Sequence, residues 1–239
     1  MNDSLRAGKD SLAHHVAERV AEVKPHLRGW LHLAAAPMTL AAGIALVALS
    51  PTAATRIGSA IFAICSVLVF SVSATYHRGR WSPRMEVVMQ RVDHSSIFLL
   101  IAGTYTPFTL LLLRGTDRVL LLAVVWSGAL LGAAFRVLWL GAPRWLYTPI
   151  YMALGWAAAF FVPQFAEGAE RYGVGLGVAV LALLATGGAL YTLGGVVYGF
   201  KRPDPWPRWF GFHEVFHSLT VLAFVTHYVG VSLATYSLR

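Results

Sequence analysis

The sequence predicts an all-α fold, a polytopic membrane protein built as a seven-transmembrane helix bundle. Three observations carry that prediction. Of the 239 residues, 57% are hydrophobic and only 13% are charged, against about 25% charged in an ordinary soluble domain. Seven runs reach the roughly 20 largely apolar residues that a membrane helix requires. Eight Trp, nine Tyr and 22 Gly suit membrane helices flanked by aromatic belts. The apolar content excludes disorder, and charge this sparse argues against a nucleic-acid partner. A single cysteine, Cys65, excludes a disulfide scaffold and any Cys-rich metal site.

Residues 1–28 stand apart from the spans. Their mixed apolar and charged pattern from Asp10 to Val23, closed by Pro25, fits an amphipathic helix on the cytoplasmic surface and equally a basic tail. No short apolar core ahead of a small-residue site marks a cleavable signal peptide. Residues 29–239 form the transmembrane domain, with spans expected near 30–50, 55–77, 93–113, 118–140, 145–165, 173–200 and 212–236. The fifth is the weakest, being punctuated by Pro143, Pro149 and Pro163, and the sixth is long enough to tilt. Connections are short, and there is no internal repeat.

Basic residues on alternate sides set the orientation. With the N-terminus inside, Arg6, Lys9, Arg19, Lys24, Arg28, Arg78, Arg80, Arg84, Arg91, Arg136, Arg144, Lys201, Arg202 and Arg208 are cytoplasmic. Only Arg56, Arg114, Arg118, Arg171 and Arg239 lie outside. The N-terminus is therefore expected in the cytoplasm and the C-terminus outside, in a multi-pass protein of the cell (plasma) membrane. The basic balance is mainly a topology signal.

Ionisable residues at membrane depth are costly and tend to be functional. Span two ends in Ser73 and His77, span three opens with Asp93 and His94, and span seven opens with His213, Glu214 and His217. All three clusters fall at the cytoplasmic boundary. Residues four apart share a helix face, so His213 and His217 can grip one ion, and Ser73 sits beneath His77. A third imidazole from His77 leaves a fourth position open, the arrangement of a catalytic zinc that keeps a water and lowers its pKa to near 7. Asp93 is placed to orient that water or take its proton, and Ser73 to support an intermediate or the surrounding shell. Taken singly the residues have blander readings. The histidines could be interfacial, Asp93 could pair with Arg91 or Arg136, and Ser73 could be a packing hydroxyl. His94, round the helix from Asp93, reads as supporting or packing, and His227 is too deep to join the same ion.

His213-Glu214-x-x-His217 also spells the zinc-protease motif, in which Glu is the general base. No acidic residue follows Glu214, and Ala223 stands where an extended motif needs histidine. A third ligand must therefore come from upstream, and Glu214 is expected to face headgroups or solvent. A membrane zinc protease remains a minor alternative. Lys9, Lys24 and Lys201 are the only lysines, all terminal or in loops, so a retinal Schiff base is excluded.

Ser73-x-x-x-His77, the stretch from Asp93-His94-Ser95-Ser96-Ile97 through Ala102-Gly103-Thr104-Tyr105-Thr106-Pro107-Phe108, and His213-x-x-x-His217 together resemble the hemolysin III family. That family is the bacterial branch of the progestin and adipoQ receptors, which include the adiponectin receptors. The resemblance implies a seven-helix bundle with Zn2+ near the cytoplasmic leaflet, held by His77, His213 and His217. It further implies that Asp93 binds the zinc water, that Ser73 completes the shell, and that Glu214 is no ligand. The wider superfamily contains alkaline ceramidases, which implies hydrolysis of a lipid amide. Pro107 is expected to kink span three and free a carbonyl. That would open a cavity for an acyl chain near Tyr105, although Gly103 and Thr104 also suit plain helix packing.

The main expectation is a zinc-dependent membrane hydrolase of a lipid amide or ester, with a membrane lipid or acyl-chain substrate. Alternatives are a receptor- or sensor-like protein with structural zinc, and a hemolysin III-type cytolytic, pore-forming protein.

Overall fold

The computed structural model describes residues 25–139 and 141–239, so the segment read as an amphipathic helix, up to residue 24, lies outside the described residues. The chain folds into α1 (Trp30–Ala48), α2 (Ala53–Arg78), α3 (Pro83–Leu112), α4 (Gly115–Leu138), α5 (Arg144–Gly155), a 3-10 turn (Ala157–Phe161), α6 (Val162–Glu170), α7 (Val174–Phe200) and α8 (Phe212–Tyr236). Seven segments are long and apolar enough to cross a membrane, with Arg144–Glu170 counting as one. No strand occurs among the described residues. Helices adjacent in sequence pack on one another, α5 and α6 through the 3-10 turn between them; α1 meets α8 to close the ring, and α3 also touches α5, α6 and α8. That central place makes α3 the most buried span, and its buried face includes Phe98, Ala102 and Phe108. The bundle's outer surface is apolar, with Met38, Ile64, Leu131 and Phe160 largely exposed, as lipid contact requires.

Two elements differ from the sequence expectation. The third helix begins at Pro83 rather than near residue 93. The Ser82 side chain caps it by accepting from the Met85 N–H at 3.4 Å, and Pro83 supplies a φ already suited to a first turn. The ten extra residues are amphipathic rather than apolar, which hides them from a hydropathy reading. The fifth span breaks in its middle. Backbone groups freed inside a membrane must find partners within the protein, and Tyr105 of α3 provides them. Its hydroxyl donates to the Gly155 carbonyl at 2.6 Å and accepts from the Ala158 N–H at 2.8 Å.

Connectivity gathers the start of α1, the end of α2, the starts of α3, α5 and α8, and the ends of α4 and α7 at one end of the bundle. Trp30, Trp81, Trp139, Trp145, Trp206 and Trp209, six of the eight tryptophans, lie at this end, where amphipathic rings mark a membrane–water boundary. Residues 25–29 dock here. The N–H groups of His26 and Leu27 donate to the carbonyls of Arg208 and Trp209 at 2.9 and 3.1 Å. Gly29 holds φ at +82°, and a Cβ there would come within 2.8 Å of the His77 Cβ. Only glycine lets the chain turn into α1 this close to α2.

Candidate metal centre

The register of α8 begins with its first turn. The Gly211 N–H donates to Glu214 Oε2 at 2.9 Å, and the Phe212 N–H donates to Asp204 Oδ1 at 2.8 Å. These carboxylates satisfy N–H groups that a helix start leaves without partners, which places His213 and His217 on the first two turns. His77 comes from the last turn of α2. The three imidazoles converge in the bundle interior, each offering a ring nitrogen within 4.8 Å of the others. His77 Nε2 and His213 Nε2 are 3.1 Å apart. Tetrahedral zinc, with Zn–N near 2.0–2.1 Å, spaces its ligand nitrogens about 3.3 Å apart. The donor set and its spacing therefore fit a bound transition metal, and imidazole suits zinc among several.

Asp93 and Ser73 lie beside this trio. Asp93 is buried, with Oδ2 4.0 Å from His77 Nε2, and the Ser73 hydroxyl approaches the same carboxyl. Arg136, fully buried at the end of α4, turns not to Asp93 but to the next residue: its Nη2 donates to His94 Nδ1 at 2.6 Å. Ser73, Asp93, His94, His213 and His217 all line a cavity of about 780 Å³. The cavity runs down the bundle past Tyr105 to Phe108, Phe165 and His227, between α3, α5, α6, α7 and α8. Tyr105 lies on the cavity wall, while Pro107 is not among the lining residues. Pro107 packs on α2 instead, where a Cβ added to Gly58 would lie 3.2 Å from its Cα.

Two features depart from the sequence reading. Glu214, expected to face headgroups or solvent, is 1% exposed. It closes an ion pair with Arg28 at 2.5 Å and caps its own helix. Its carboxylate is therefore committed outside the cavity, which removes the proton acceptor that a zinc-protease mechanism needs. His32 of α1 belongs to no motif in the sequence. Its ring stacks on His217, with centroids 3.8 Å apart and planes 12° apart, and it lines the cavity. Neither of its ring nitrogens makes a hydrogen bond of ordinary geometry. The signal available was depth, because position 32 stands at the same end of its span as the other histidines.

Fold and site together define a heptahelical membrane protein with an intramembrane histidine centre at one end of an apolar cavity. Comparison with known proteins gives the family: residues 20–228 match the Haemolysin-III related family, and the chain belongs to it. It is 36% identical over 138 residues to "Hemolysin-3 homolog" of Bacillus subtilis (strain 168), covering 57% of this chain and 61% of that protein. It is 31% identical over 151 residues to "Hemolysin-3" of Bacillus cereus, covering 63% and 65%. The alignments thus span less than two thirds of these two bacterial relatives. A more distant match is "Heptahelical transmembrane protein ADIPOR2" of Oryza sativa subsp. japonica, 27% identical over 184 residues and covering 72% and 80%. That match ties the chain to the adiponectin receptor-like superfamily.

Proposed function

We propose that this protein is a metal-dependent hydrolase of a lipid amide or ester, with zinc as the metal and the site at the cytoplasmic leaflet. One observation carries the reading: of three converging imidazoles, His213 and His217 line one end of an acyl-sized apolar cavity together with the buried Asp93 carboxylate and the Ser73 hydroxyl, and His77 completes the trio beside Asp93. Zinc held by His77, His213 and His217 would supply Lewis acidity and an activated water at neutral pH. The protein's own groups do the rest. The walls from Ile97 to Phe108 and from Leu181 to Ala189 hold an acyl chain and exclude bulk water, which places the carbonyl against the histidine end. Asp93 accepts the proton of the attacking water at Oδ2 and returns it to the leaving group. Ser73 keeps that carboxyl aimed.

The experiment is metal analysis of purified protein together with turnover of a panel of ceramides and simple acyl esters. One equivalent of zinc is expected, with hydrolysis that falls at least about 100-fold in Asp93→Asn, the usual contribution of a positioned acid–base group. Zinc-loaded protein that cleaves no acyl lipid would defeat the hydrolase reading. A second reading, a receptor- or sensor-like protein with structural metal, is favoured by one feature: α2 and α8 touch little elsewhere, so a shared ion would tie them. In that case metal removal lowers thermal stability sharply and there is no activity to lose.

A further inference from the structure

The inner reach of the cavity carries polar chemistry that hydrolysis at the histidine end does not use. His227 is 4% exposed and faces the cavity with Tyr191 and Thr104. Its Nε2 lies 3.1 Å from the Leu184 carbonyl. A carbonyl only accepts, so Nε2 carries the proton and Nδ1 is a bare acceptor. Nδ1 has no partner, and the buried Tyr191 hydroxyl makes no hydrogen bond of ordinary geometry, with Thr104 its polar neighbour. Buried polar atoms without partners are uncommon enough to require an explanation. The two rings are in contact, with centroids 5.6 Å apart, so the two atoms belong to one patch of the cavity wall. The fold also makes room for this histidine: a Cβ on Gly187 would come within 2.2 Å of its Nε2.

From this geometry we infer that the inner cavity is a recognition subsite for a hydroxyl group carried along the acyl chain of the ligand. The pairing of groups selects the chemistry. A hydroxyl donates to His227 Nδ1 and accepts from the Tyr191 O–H, satisfying both at once. A carboxylate or carbonyl oxygen has no proton for Nδ1, and a methylene chain satisfies neither atom. His227 lies ten residues beyond His217, or about 15 Å along α8. That is about half of the ~30 Å hydrocarbon core, the depth one leaflet's chains reach. The ligand class is therefore an acyl lipid hydroxylated well down its chain, with its carbonyl at the histidine end. This deepens the acyl-lipid reading of the site and rests on it.

The test is equilibrium binding, without turnover, of an unsubstituted saturated fatty acid and of acids hydroxylated at successive chain positions. Wild type is expected to bind one narrow set of mid-chain hydroxy acids about tenfold more tightly than the unsubstituted acid, the scale of one or two well-made hydrogen bonds. Tyr191→Phe and His227→Phe should each erase most of that preference and leave binding of the unsubstituted acid unchanged, which also shows that the cavity is intact. Equal affinity for all acids in wild type would overturn the subsite and mean that water alone occupies it, leaving the hydrolase reading standing. A preference that survives both variants, or no fatty-acid binding at all, would also overturn it. Selective binding without hydrolysis of any acyl lipid would instead keep the subsite and reject the hydrolase.

Discussion

At the end of the bundle where α3 runs out, arginines are spent on helix carbonyls. Arg118 donates to Leu113 and Leu110, Arg171 to Leu112 and Leu111, Arg56 to Ser50, and Arg239 to Leu49. Four of the five basic residues assigned to this side by the charge count thus supply donors to carbonyls at helix C-terminal ends, which the helix itself leaves open. The opposite end is arranged differently. There His77, His213 and His217 crowd together and His32 buries two unpartnered ring nitrogens, while the local charge is used as supports: Arg28 on Glu214 and Arg136 on His94. Polar groups satisfied by their own backbone make an end cap. Polar groups held in place and left unsatisfied make a site.

The most forceful way to break this contrast is to remove one imidazole. His77→Ala takes away the only member of the trio contributed by α2. Disturbing residues around metal ligands typically lowers affinity 10- to 100-fold, and loss of a ligand should exceed about 100-fold. Elemental analysis after desalting should then show protein nearly free of metal, while circular dichroism stays helical. Retention of one equivalent would mean that the trio is not the centre.

Glu214→Gln comes next. The amide oxygen can still accept from the Gly211 N–H, but Arg28 loses its counter-charge in a largely buried setting. A cost of about 2 kcal/mol is expected, below the 3–5 of a fully buried pair because the Arg28 side chain keeps 17% exposure. Metal content should hold. If turnover vanished while thermal stability stayed level, Glu214 would be the general base of the protease motif and the helix-cap assignment would fail. At the other end, Arg171→Ala should cost about 1 kcal/mol, since an exposed donor is screened by water, and should leave metal content and any lipid turnover untouched.

The spans were legible because a hydrocarbon solvent imposes length and apolarity directly on the sequence. The trio's two outer members, His213 and His217, were legible from a helical repeat, and His77 from the depth it shares with them. What escaped detection depends on packing between distant segments. The Arg28–Glu214 pair joins residues 186 apart, and nothing in either neighbourhood announces it. The hydroxyl of Tyr105 reads as part of a small-residue stretch until the fifth span breaks across the bundle and needs it. Pro107 stands one turn from the cavity wall in sequence, yet its face is decided by how closely Gly58 lets α2 approach. His32 has the right depth but no partner at helical spacing, so no motif marks it.

His32 also gives the finest test of the contrast. If its role is to brace the His217 ring, a phenyl ring of similar shape should serve nearly as well. His32→Phe keeps the stack and removes two buried nitrogens, each of which is costly when unpaired. The expected result is unchanged metal content, with thermal stability equal to wild type or higher by about 1 kcal/mol, read from melting in detergent. Metal affinity should shift by less than about tenfold, the lower edge of what residues around a metal's ligands contribute. Loss of metal in His32→Phe would instead make His32 a fourth ligand and close the position that catalysis requires to be open. The smallest expected effect in the set therefore decides whether the centre is built to react or only to hold.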